Sequence, residues 1–538
     1  MKIRNLFLLS ALSGLLFSAA WPYWGVPFIS FVALIPLLFV FDNITSHRQN
    51  HVKMSGFLYS MIAFFIWNSL TTWWIWNSTS FGAIAAVVLN TILMSLPFGL
   101  YYVLRRNFFA TSKGYMALIS FWLSFEYLHL NWDLSWPWLM IGNVFAKYPQ
   151  FIQWYENTGV LGGTLWIFLC NIFIYELILA FKQKTDKKHK RIWVLLTTLI
   201  LLVPMSLSLI RYYSYTEESN PIEVIVIQQN TDPWSQYDIE SEDLIHNILE
   251  LARQKVTPNT RLIVAPESAI QDYAWQNQLF DYPSIDSIIN FIDAHPKINF
   301  ISGISSLRMY TSPSERTYTA RKYSGSEDLY YDSFNTSLFI NSEKEASMYH
   351  KSKLVPGVEK MPYPQIFGPL SDLAVDLGGI TGSLGVDKDQ IPFSLKHSSA
   401  IVGSVICYES VYGEFFSKFV KNDANLMTII TNDGWWKKTP GYRQHFEYAR
   451  LRAVESRRSI ARAANTGTSG FINQRGDVLQ KTDWWVPDVI SETLNLNAKK
   501  TFYTKHGDFI GKIAFYTSIV IFLLFILQQI FPAIRKIK

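Results

Sequence analysis

The chain has 538 residues, of which 49% are hydrophobic and 17% charged, a composition that predicts membrane-spanning helices combined with a soluble part. Its two cysteines, Cys170 and Cys407, are too few for a disulfide framework or for the usual zinc sites, so we expect no metal or other cofactor. The net charge of +6 would favour a nucleic-acid partner only if the basic residues clustered on a soluble face.

Apolar segments of nearly membrane-spanning length occupy the first 215 residues and the C-terminus. We predict eight spanning helices, because each segment approaches the roughly 20 apolar residues that cross a bilayer. The first segment also has features of a signal peptide, but further apolar segments follow at once and favour a retained helix. The predicted spans are 5–20, 27–41, 55–76, 82–104, 114–129, 158–181, 192–211 and 512–533.

Lysine and arginine residues concentrate in alternate loops between these segments. The run KQKTDKKHKR at 182–191 follows the sixth span, whereas the long alternate loop 130–157 carries only Lys147. The positive-inside rule then places both termini in the cytoplasm, which agrees with an even number of spans. The segment between the last two spans would lie on the periplasmic side of the inner membrane. Because the basic runs are explained as topology signals, we expect no nucleic-acid partner.

The part between the seventh and eighth spans alternates strand-like and helix-like stretches, which predicts a layered α/β domain. Near-continuous apolar runs, typical of strands covered on both faces, predict strands at 223–228, 261–266, 299–305, 335–341, 400–406 and 425–432. Helical patterns lie at 240–255, 285–294, 411–421 and 442–463.

These elements divide the chain into three parts. We predict a membrane domain at 1–215, a soluble domain at 216–505, and a last span with a basic tail at 506–538. Within the soluble domain, the stretch 363–395 is rich in Gly and Pro and lacks periodicity, yet it is apolar. This composition predicts a mobile loop against the membrane.

Three polar residues of the soluble domain form a chemical set, although each alone is usually a core, capping or surface residue. Glu267 follows a strand in VAPES, Lys351 lies in MYHKSKLVP, and Cys407 ends a strand in VICYE. A thiol with a pKa of about 8.5 is mostly protonated at neutral pH, so a nucleophilic cysteine needs a base or a positive neighbour. A carboxylate can take the proton, and an ammonium group can stabilise a thiolate and an oxyanion. A helix at 408–421 would add its N-terminus beside the thiol.

The three motifs resemble the Glu-Lys-Cys triad of the nitrilase superfamily. The stretches FNTSLFI (334–340), TNDGWW (431–436) and RQHFEYARLRAVESRRSIARAANTGTSGFINQRG (443–476) fit the same pattern. With seven spans before the soluble domain and one after it, nearly the whole chain resembles the apolipoprotein N-acyltransferase family. The resemblance implies a multi-pass α-helical membrane domain and an extracytoplasmic, nitrilase-like αββα sandwich.

The resemblance also implies an acyl transfer in two steps, performed by a monomer. Cys407 would attack the sn-1 ester of a membrane phospholipid and form a thioester. The α-amino group of the diacylglyceryl-cysteine of an apolipoprotein would then accept the acyl chain. Glu267 would act as general base and then acid, and Lys351 would stabilise the oxyanion.

Further residues are expected to support this site. By the resemblance Glu359 is a second carboxylate, although LVPGVEKMP departs from the family's usual Leu-Val-Pro-Phe-Gly-Glu-Phe, which puts its role in question. Tyr408 and Glu409 would help to shape the surroundings of the nucleophile. Trp435 fits either an acyl entrance or core packing, and Trp234, after the first strand, is a looser candidate.

Two other functions fit parts of the pattern. A membrane-tethered nitrilase-type amidase would use the same triad with water as the acceptor, but a hydrolase of soluble amides has no need of eight spans. A transporter with an external binding domain would bury charged residues in its spans, where Glu126 and Glu176 are the main candidates.

Overall fold

The computed structural model of the chain describes residues 1–109, 113–183, 185–324, 329–363, 365 and 383–531. The chain divides into two compact units, a helical unit of Met1–Trp76, Phe81–Tyr213 and His506–Lys538, and an α/β unit of Asn77–Ser80 and Ser214–Lys505. Most of the predicted loop 363–395, namely residues 364 and 366–382, and the basic tail 532–538 lie outside the described residues.

Helices form at all eight of the apolar segments that the sequence indicates. In chain order they are α1 (Ile3–Ala20), α2 (Ile35–Ser46), α3 (Ser55–Thr72), α4 (Ser80–Asn107), α5 (Tyr115–His129), α6 (Tyr155–Lys182) and α7 (Lys187–Ser214), with a last helix at Phe509–Ile530.

Six segments within the described part of the chain are long and apolar enough to cross a membrane, which fits a multi-pass membrane protein. Helix α5 has 15 residues and rises about 22 Å, less than the roughly 30 Å of a bilayer core. Helix α3 has 18 residues, but Ser, Asn and Thr interrupt its apolar sequence. The number of eight spans therefore stays a prediction. The six are Ile3–Ala20, Pro27–Ser46, Ser80–Asn107, Tyr155–Lys182, Lys187–Ser214 and Phe509–Ile530.

The two carboxylates inside predicted spans have partners within the helical unit. Glu126 accepts hydrogen bonds from the indole N–H of Trp122 at 3.0 Å and from the hydroxyl of Thr164 at 2.7 Å. Glu176 accepts one from Lys113 Nζ at 2.5 Å. These contacts satisfy both carboxyl groups without a transported substrate, so they give the transporter hypothesis no support.

Within the described ranges, the α/β unit contains two β-sheets with parallel strands at their centres. The first sheet has the order β14-β1-β2-β4-β6-β5, with β3 beside β4 and β7 beside β6, and the second has the order β13-β12-β11-β10-β9-β8. All six strands that the apolar runs predict are present. The bounds are β1 (Pro221–Gln228), β2 (Thr260–Val264), β3 (Ile270–Trp275), β4 (Asn299–Tyr310), β5 (Arg321–Lys322), β6 (Tyr330–Ile340), β7 (Ala346–His350), β8 (Phe393–Ser394), β9 (Ile401–Ile406), β10 (Leu426–Thr431), β11 (Ile460–Ala464), β12 (Gly470–Ile472), β13 (Val478–Lys481) and β14 (Asp488–Asn495).

Helices cover the outer face of each sheet. Helices α8 (Ser241–Arg253) and α9 (Pro283–Ala294) pack on the first sheet, and α8 buries Ile245, Ile248, Leu249 and Ala252, which share one helical face. Helices α10 (Gly413–Lys421) and α11 (Pro440–Ser456) pack on the second sheet, and a short helix, α12 (Phe502–His506), ends the unit. The inner faces meet where the Ser337 hydroxyl of β6 lies 2.8 Å from the Ser404 hydroxyl of β9. This layering confirms the predicted αββα sandwich.

One predicted helix is shorter than its sequence pattern indicates. The pattern predicts a helix over 442–463, but α11 ends at Ser456 and the following residues form β11. Arg457 adopts a left-handed conformation with a φ of +52°, which ends the helix. Ile460–Ala464 is completely buried and pairs in parallel with β10, so sheet pairing outweighs the helical periodicity here.

Gly303 in β4 permits a close approach of the chain that carries Glu267. A Cβ atom at residue 303 would lie 2.5 Å from the backbone N of Ser268 and 2.6 Å from Glu267 Cα. The Gly303 N–H donates a hydrogen bond to the carbonyl of Pro266 at 2.9 Å. Since the opposing atoms belong to the backbone, no side-chain rotation can make room for a larger residue.

We therefore expect Gly303→Ala to lower the free energy of unfolding by about 1–3 kcal/mol, because β4 or the Glu267 segment must shift. Thermal unfolding of the purified full chain in detergent measures this, with the exposed strand variant Ser347→Ala as a control that keeps the wild-type midpoint. A wild-type midpoint for Gly303→Ala would contradict the proposed close contact.

Candidate active site

Lys351 lies between two carboxylates that come from different parts of the α/β unit. Glu267 follows β2, Lys351 follows β7, and Glu359 lies in the loop after β7. Lys351 Nζ donates hydrogen bonds to Glu267 Oε1 at 3.1 Å and to Glu359 Oε1 at 2.8 Å, and its side chain is only 1% exposed. Burial by itself lowers the pKa of Lys351, but the two carboxylates outweigh burial and raise it well above the ordinary value. The ammonium group is therefore charged.

Asn335 of β6 holds both carboxylates, and sequence reasoning did not select it. Its Nδ2 donates to Glu267 Oε1 at 2.7 Å and to Glu359 Oε1 at 3.1 Å. Its backbone carbonyl accepts a hydrogen bond from the N–H of Lys351 at 2.8 Å. The one signal in the sequence is an amide side chain within the apolar strand motif FNTSLFI.

The second oxygen of Glu267 is held by the other sheet. The backbone N–H of Asn432, directly after β10, donates to Glu267 Oε2 at 2.9 Å. The side chain of Asn432 in turn donates to Gln236 Oε1 at 3.3 Å. Glu267 thus bridges the two sheets at the edge where parallel strands end, and its carboxylate has a fixed orientation.

Glu359 reaches this cluster despite its altered motif. Its Oε1 accepts the hydrogen bond from Lys351, and its Oε2 accepts one from the N–H of Val355 at 2.8 Å. The turn between Val355 and Glu359 contains Gly357 with a φ of +80°, a conformation that glycine adopts without strain. Although Gly357-Val358 stand where the family has Phe-Gly, the Glu359 carboxylate still contacts the Lys351 ammonium group.

Cys407 lies at the end of β9 in a sharp turn. It adopts a left-handed φ of +52°, which is uncommon for a residue with a side chain and typical of nucleophiles at strand-to-helix elbows. The prediction of a helix from residue 408 was wrong, because a 3₁₀ turn occupies Cys407–Val411 and α10 begins at Gly413. The helix N-terminus is therefore not beside the thiol.

The thiol of Cys407 is buried and close enough to the charged cluster to be influenced by it. The residue is 9% exposed. Burial raises the pKa of Cys407, the Glu267 carboxylate acts in the same direction, and the Lys351 ammonium group opposes both, so the net shift is upward. At neutral pH the resting thiol is consequently protonated and needs a base to become a nucleophile.

Glu409 connects the turn at Cys407 to the segment that carries Lys351. Its buried carboxylate accepts a hydrogen bond from the N–H of Ile406 at 2.8 Å through Oε2 and one from the N–H of Ser352 at 2.6 Å through Oε1. Burial raises the pKa of Glu409 to about 7, although these donors favour the carboxylate. Glu409 therefore joins the turn at Cys407 to the segment that carries Lys351.

The aromatic residues selected from the sequence form two separate pairs. The buried Tyr408 packs edge-to-face on Tyr412, with ring centroids 5.2 Å apart, and so supports the turn. Trp234 and Trp435 also pack edge-to-face at 5.1 Å, and Trp234 remains 57% exposed. The second pair presents apolar surface to solvent from the two loops that carry these residues.

A further charged cluster lies behind the turn at Cys407, and sequence reasoning did not assign it. Arg462 Nη2 donates to Asp433 Oδ2 at 2.7 Å, and His445 Nδ1 lies 2.9 Å from Asp433 Oδ1. All three residues belong to motifs that fit the nitrilase pattern, but they are far apart along the chain, so the sequence does not indicate that they are in contact.

Among the described residues, no group of three or more His, Cys, Asp or Glu side chains is arranged to hold a metal ion.

Comparisons with known proteins cover nearly the whole chain. The carbon-nitrogen hydrolase family matches residues 224–501, and the apolipoprotein N-acyltransferase N-terminal domain matches residues 13–173. The apolipoprotein N-acyltransferase of Chlorobaculum tepidum is 27% identical over 94% of this chain and 93% of its own length, and that of Thermotoga maritima is 24% identical over 95% and 92%. A nitrilase-superfamily protein of Saccharomyces cerevisiae of known structure is 16% identical, with a TM-score of 0.37, over 52% of this chain and 91% of that chain.

The raised pKa of Cys407 predicts an unusual pH dependence for its alkylation. We expect the rate with iodoacetamide to keep rising through about pH 8.5–9.5, where the thiolate fraction of an ordinary cysteine levels off. Peptide mass spectrometry separates Cys407 from Cys170, and the denatured chain is the control with an ordinary profile. A plateau in the native protein near the ordinary cysteine pKa would contradict this prediction.

Proposed function

The chain belongs to the carbon-nitrogen hydrolase family and, by its N-terminal domain, to the apolipoprotein N-acyltransferases within it, and from this we propose that it N-acylates apolipoproteins. The donor would be the sn-1 acyl chain of a membrane phospholipid, and the acceptor the α-amino group of the diacylglyceryl-cysteine at the apolipoprotein N-terminus. The observation that carries the proposal is the buried Lys351 ammonium group, which donates hydrogen bonds to both Glu267 and Glu359 near the buried thiol of Cys407.

In the first step Glu267 takes the proton of the Cys407 thiol while the sulfur attacks the ester carbonyl. The negative charge that develops on the carbonyl oxygen is stabilised by Lys351, a preorganised donor in a buried site. The tetrahedral intermediate then expels the glycerol oxygen, to which the Glu267 carboxylic acid gives its proton. A thioester on Cys407 and a lysophospholipid are the products. Because the resting thiol is protonated, the base and the substrate are needed together.

In the second step the neutral α-amino group attacks the thioester carbonyl. Lys351 again stabilises the oxyanion, and Glu267 takes a proton from the attacking nitrogen. Collapse of the intermediate forms the amide and breaks the carbon–sulfur bond, and the proton on Glu267 returns to the Cys407 sulfur. The cycle ends with the starting protonation states and needs no cofactor.

Glu359 has a distinct task in this cycle. Whenever Glu267 carries a proton, the Glu267 carboxylate no longer compensates the charge of Lys351. The hydrogen bond of 2.8 Å from Lys351 to Glu359 then keeps the ammonium group paired and charged. A second carboxylate thus allows the first to change its charge without loss of the oxyanion donor.

The exposed Trp234 and the half-buried Trp435 would together receive the acyl chain. An exposed aromatic side chain in the loop after β1, packed on a second one in the loop after β10, offers apolar surface next to Asn432, the residue that holds Glu267. An amidase that uses the same triad with water is the alternative. The helical N-terminal domain and the nearly full-length N-acyltransferase relatives favour a lipid donor and a lipoprotein acceptor instead.

Intact mass spectrometry of the full chain after incubation with a diacyl phospholipid tests the acyl-enzyme. We expect a hydroxylamine-labile acyl adduct in the wild type and in the control variant Cys170→Ala, and none in Cys407→Ala. Glu267→Gln and Lys351→Met should slow adduct formation by about 100-fold or more, since they remove the general base and the oxyanion donor. An adduct that persists in Cys407→Ala would refute the proposal, and hydrolysis of small amides without any adduct would favour the amidase.

Loop charges support a proposed orientation with the α/β unit in the periplasm and both termini in the cytoplasm. We expect a tag inserted after the exposed residue Tyr318 to be degraded when protease is added to intact spheroplasts. A tag after Lys538 should survive until the membrane is lysed. The reverse pattern would overturn the orientation without affecting the proposed chemistry.

A further inference from the structure

A buried hydrogen-bonded network contacts the backbone carbonyl of Cys407. The side chains of Asp433, His445 and Arg462 are each 0% exposed. His445 Nε2 lies 3.2 Å from the carbonyl oxygen of Cys407 and 2.9 Å from the hydroxyl oxygen of Ser410. The Ser410 hydroxyl donates to the same carbonyl at 2.7 Å. A carbonyl oxygen can only accept, so this contact is a hydrogen bond in the tautomer that carries the hydrogen on Nε2. Arg462 Nη2, which can only donate, lies 3.1 Å from Nδ1 and suits the same tautomer.

The opposite end of the imidazole ring is fixed by charged partners. His445 Nδ1 lies 2.9 Å from Asp433 Oδ1, which also accepts a hydrogen bond from the Thr431 hydroxyl at 3.0 Å. Asp433 Oδ2 accepts one from Arg462 Nη2 at 2.7 Å. Burial opposes ionisation of Asp433, but Arg462 and His445 outweigh it and lower the pKa of this carboxyl group. An ionised carboxylate held in this way fixes the plane of the ring, as outer partners do for catalytic and ligating histidines.

The backbone that this network contacts is in an unfavourable conformation. Cys407 has a φ of +52°, which persists for a residue with a side chain only when its surroundings enforce it. The donors from His445 and Ser410 meet at the carbonyl of this residue. They therefore oppose relaxation of the turn, which would move the sulfur.

The same network reaches the segment that holds the proposed base. Asp433 follows Asn432 in the chain, and the backbone N–H of Asn432 donates a hydrogen bond to Glu267 Oε2 at 2.9 Å. The network thus connects the turn of Cys407 to the turn that orients Glu267. The distance between the Cys407 sulfur and the Glu267 carboxylate therefore depends on this network. Transfer of a proton between them requires heavy atoms within about 2.6–3.2 Å.

We propose that His445, held by Asp433 and Arg462, is a positioning residue that donates through Nε2 to the Cys407 carbonyl and so keeps the thiol in reach of Glu267. This inference rests on the proposed role of Cys407 as the nucleophile. His445 itself neither gives nor takes a proton in the reaction.

Two amide substitutions separate the two ends of the ring. The amide nitrogen of Gln reaches the position of Nε2, so His445→Gln keeps a donor for the Cys407 carbonyl and loses the contact with Asp433. The amide nitrogen of Asn reaches the position of Nδ1, so His445→Asn keeps the contact with Asp433 and loses the donor for the Cys407 carbonyl. A displaced nucleophile costs about 100-fold in rate for a shift of about 1 Å, which is the loss we expect for His445→Asn. His445→Gln should react at least about tenfold faster than His445→Asn.

Two rates are measured on the full chain in detergent, alkylation of Cys407 by iodoacetamide and acyl transfer from phospholipid to a synthetic diacylated lipopeptide. Alkylation needs no lipid substrate and therefore tests the position of the thiol independently of the proposed function. The control is Ser417→Ala, which removes another buried hydroxyl from α10 and should keep both wild-type rates. Thermal unfolding shows which variants are folded.

Equal losses in folded His445→Asn and His445→Gln would overturn the inference. If neither variant folds, Ser410→Ala removes the second donor to the same carbonyl, and we expect both rates to fall by about tenfold. Wild-type rates in folded Ser410→Ala would then overturn it. A wild type that is alkylated at Cys407 but transfers no acyl chain would refute the proposed function alone, because the ratio between the two amide variants still decides the inference.

Discussion

A buried ammonium group between two carboxylates is the interaction on which the α/β unit depends most. An isolated charge as deeply buried as Lys351 would be neutralised or would cost several kcal/mol, so its partners are obligatory. Those partners, Glu267 and Glu359, lie on different segments, and Asn335 donates to both. Loss of the Lys351 charge would leave two neighbouring carboxylates uncompensated, which costs about 3–5 kcal/mol. The arrangement that would do the chemistry is therefore also part of what holds the unit together.

The same arrangement explains how a thiol can be both protected and reactive. Burial and a neighbouring carboxylate keep Cys407 protonated, and a protonated thiol is a poor nucleophile and resists oxidation. In the proposed mechanism, Glu267 would take the proton from the thiol as the sulfur attacks the acyl group. Lys351 would stay charged through the proposed cycle, because Glu359 remains hydrogen-bonded to it. In the proposed extracytoplasmic location, where thiols are prone to oxidation, this restraint has a clear benefit.

The αββα sandwich makes the site possible by joining the ends of strands from two sheets. Glu267 follows β2 and Lys351 follows β7 in the first sheet, whereas Cys407 follows β9 in the second. Strands that run in parallel end at one edge of a sheet, where side chains from successive connections converge. Stacking the two sheets brings their edges together, and the hydrogen bond from Asn432 to Glu267 spans the junction. Each sheet alone supplies only part of the candidate site.

The amino-acid sequence by itself determined most secondary-structure elements and the candidate reactive groups of this protein. Apolar length, charge alternation between loops and short buried runs are local properties, so they identified the helical segments and six strands. The resemblance of three short motifs to the nitrilase triad selected Glu267, Lys351 and Cys407. Tertiary structure decided what those properties do not encode. Asn335 and the network around His445 are defined by contacts between residues far apart in the chain, and the end of α11 at Ser456 by pairing of the next residues with β10. Such contacts depend on strand register and on the stacking of the sheets, which no short stretch of sequence specifies.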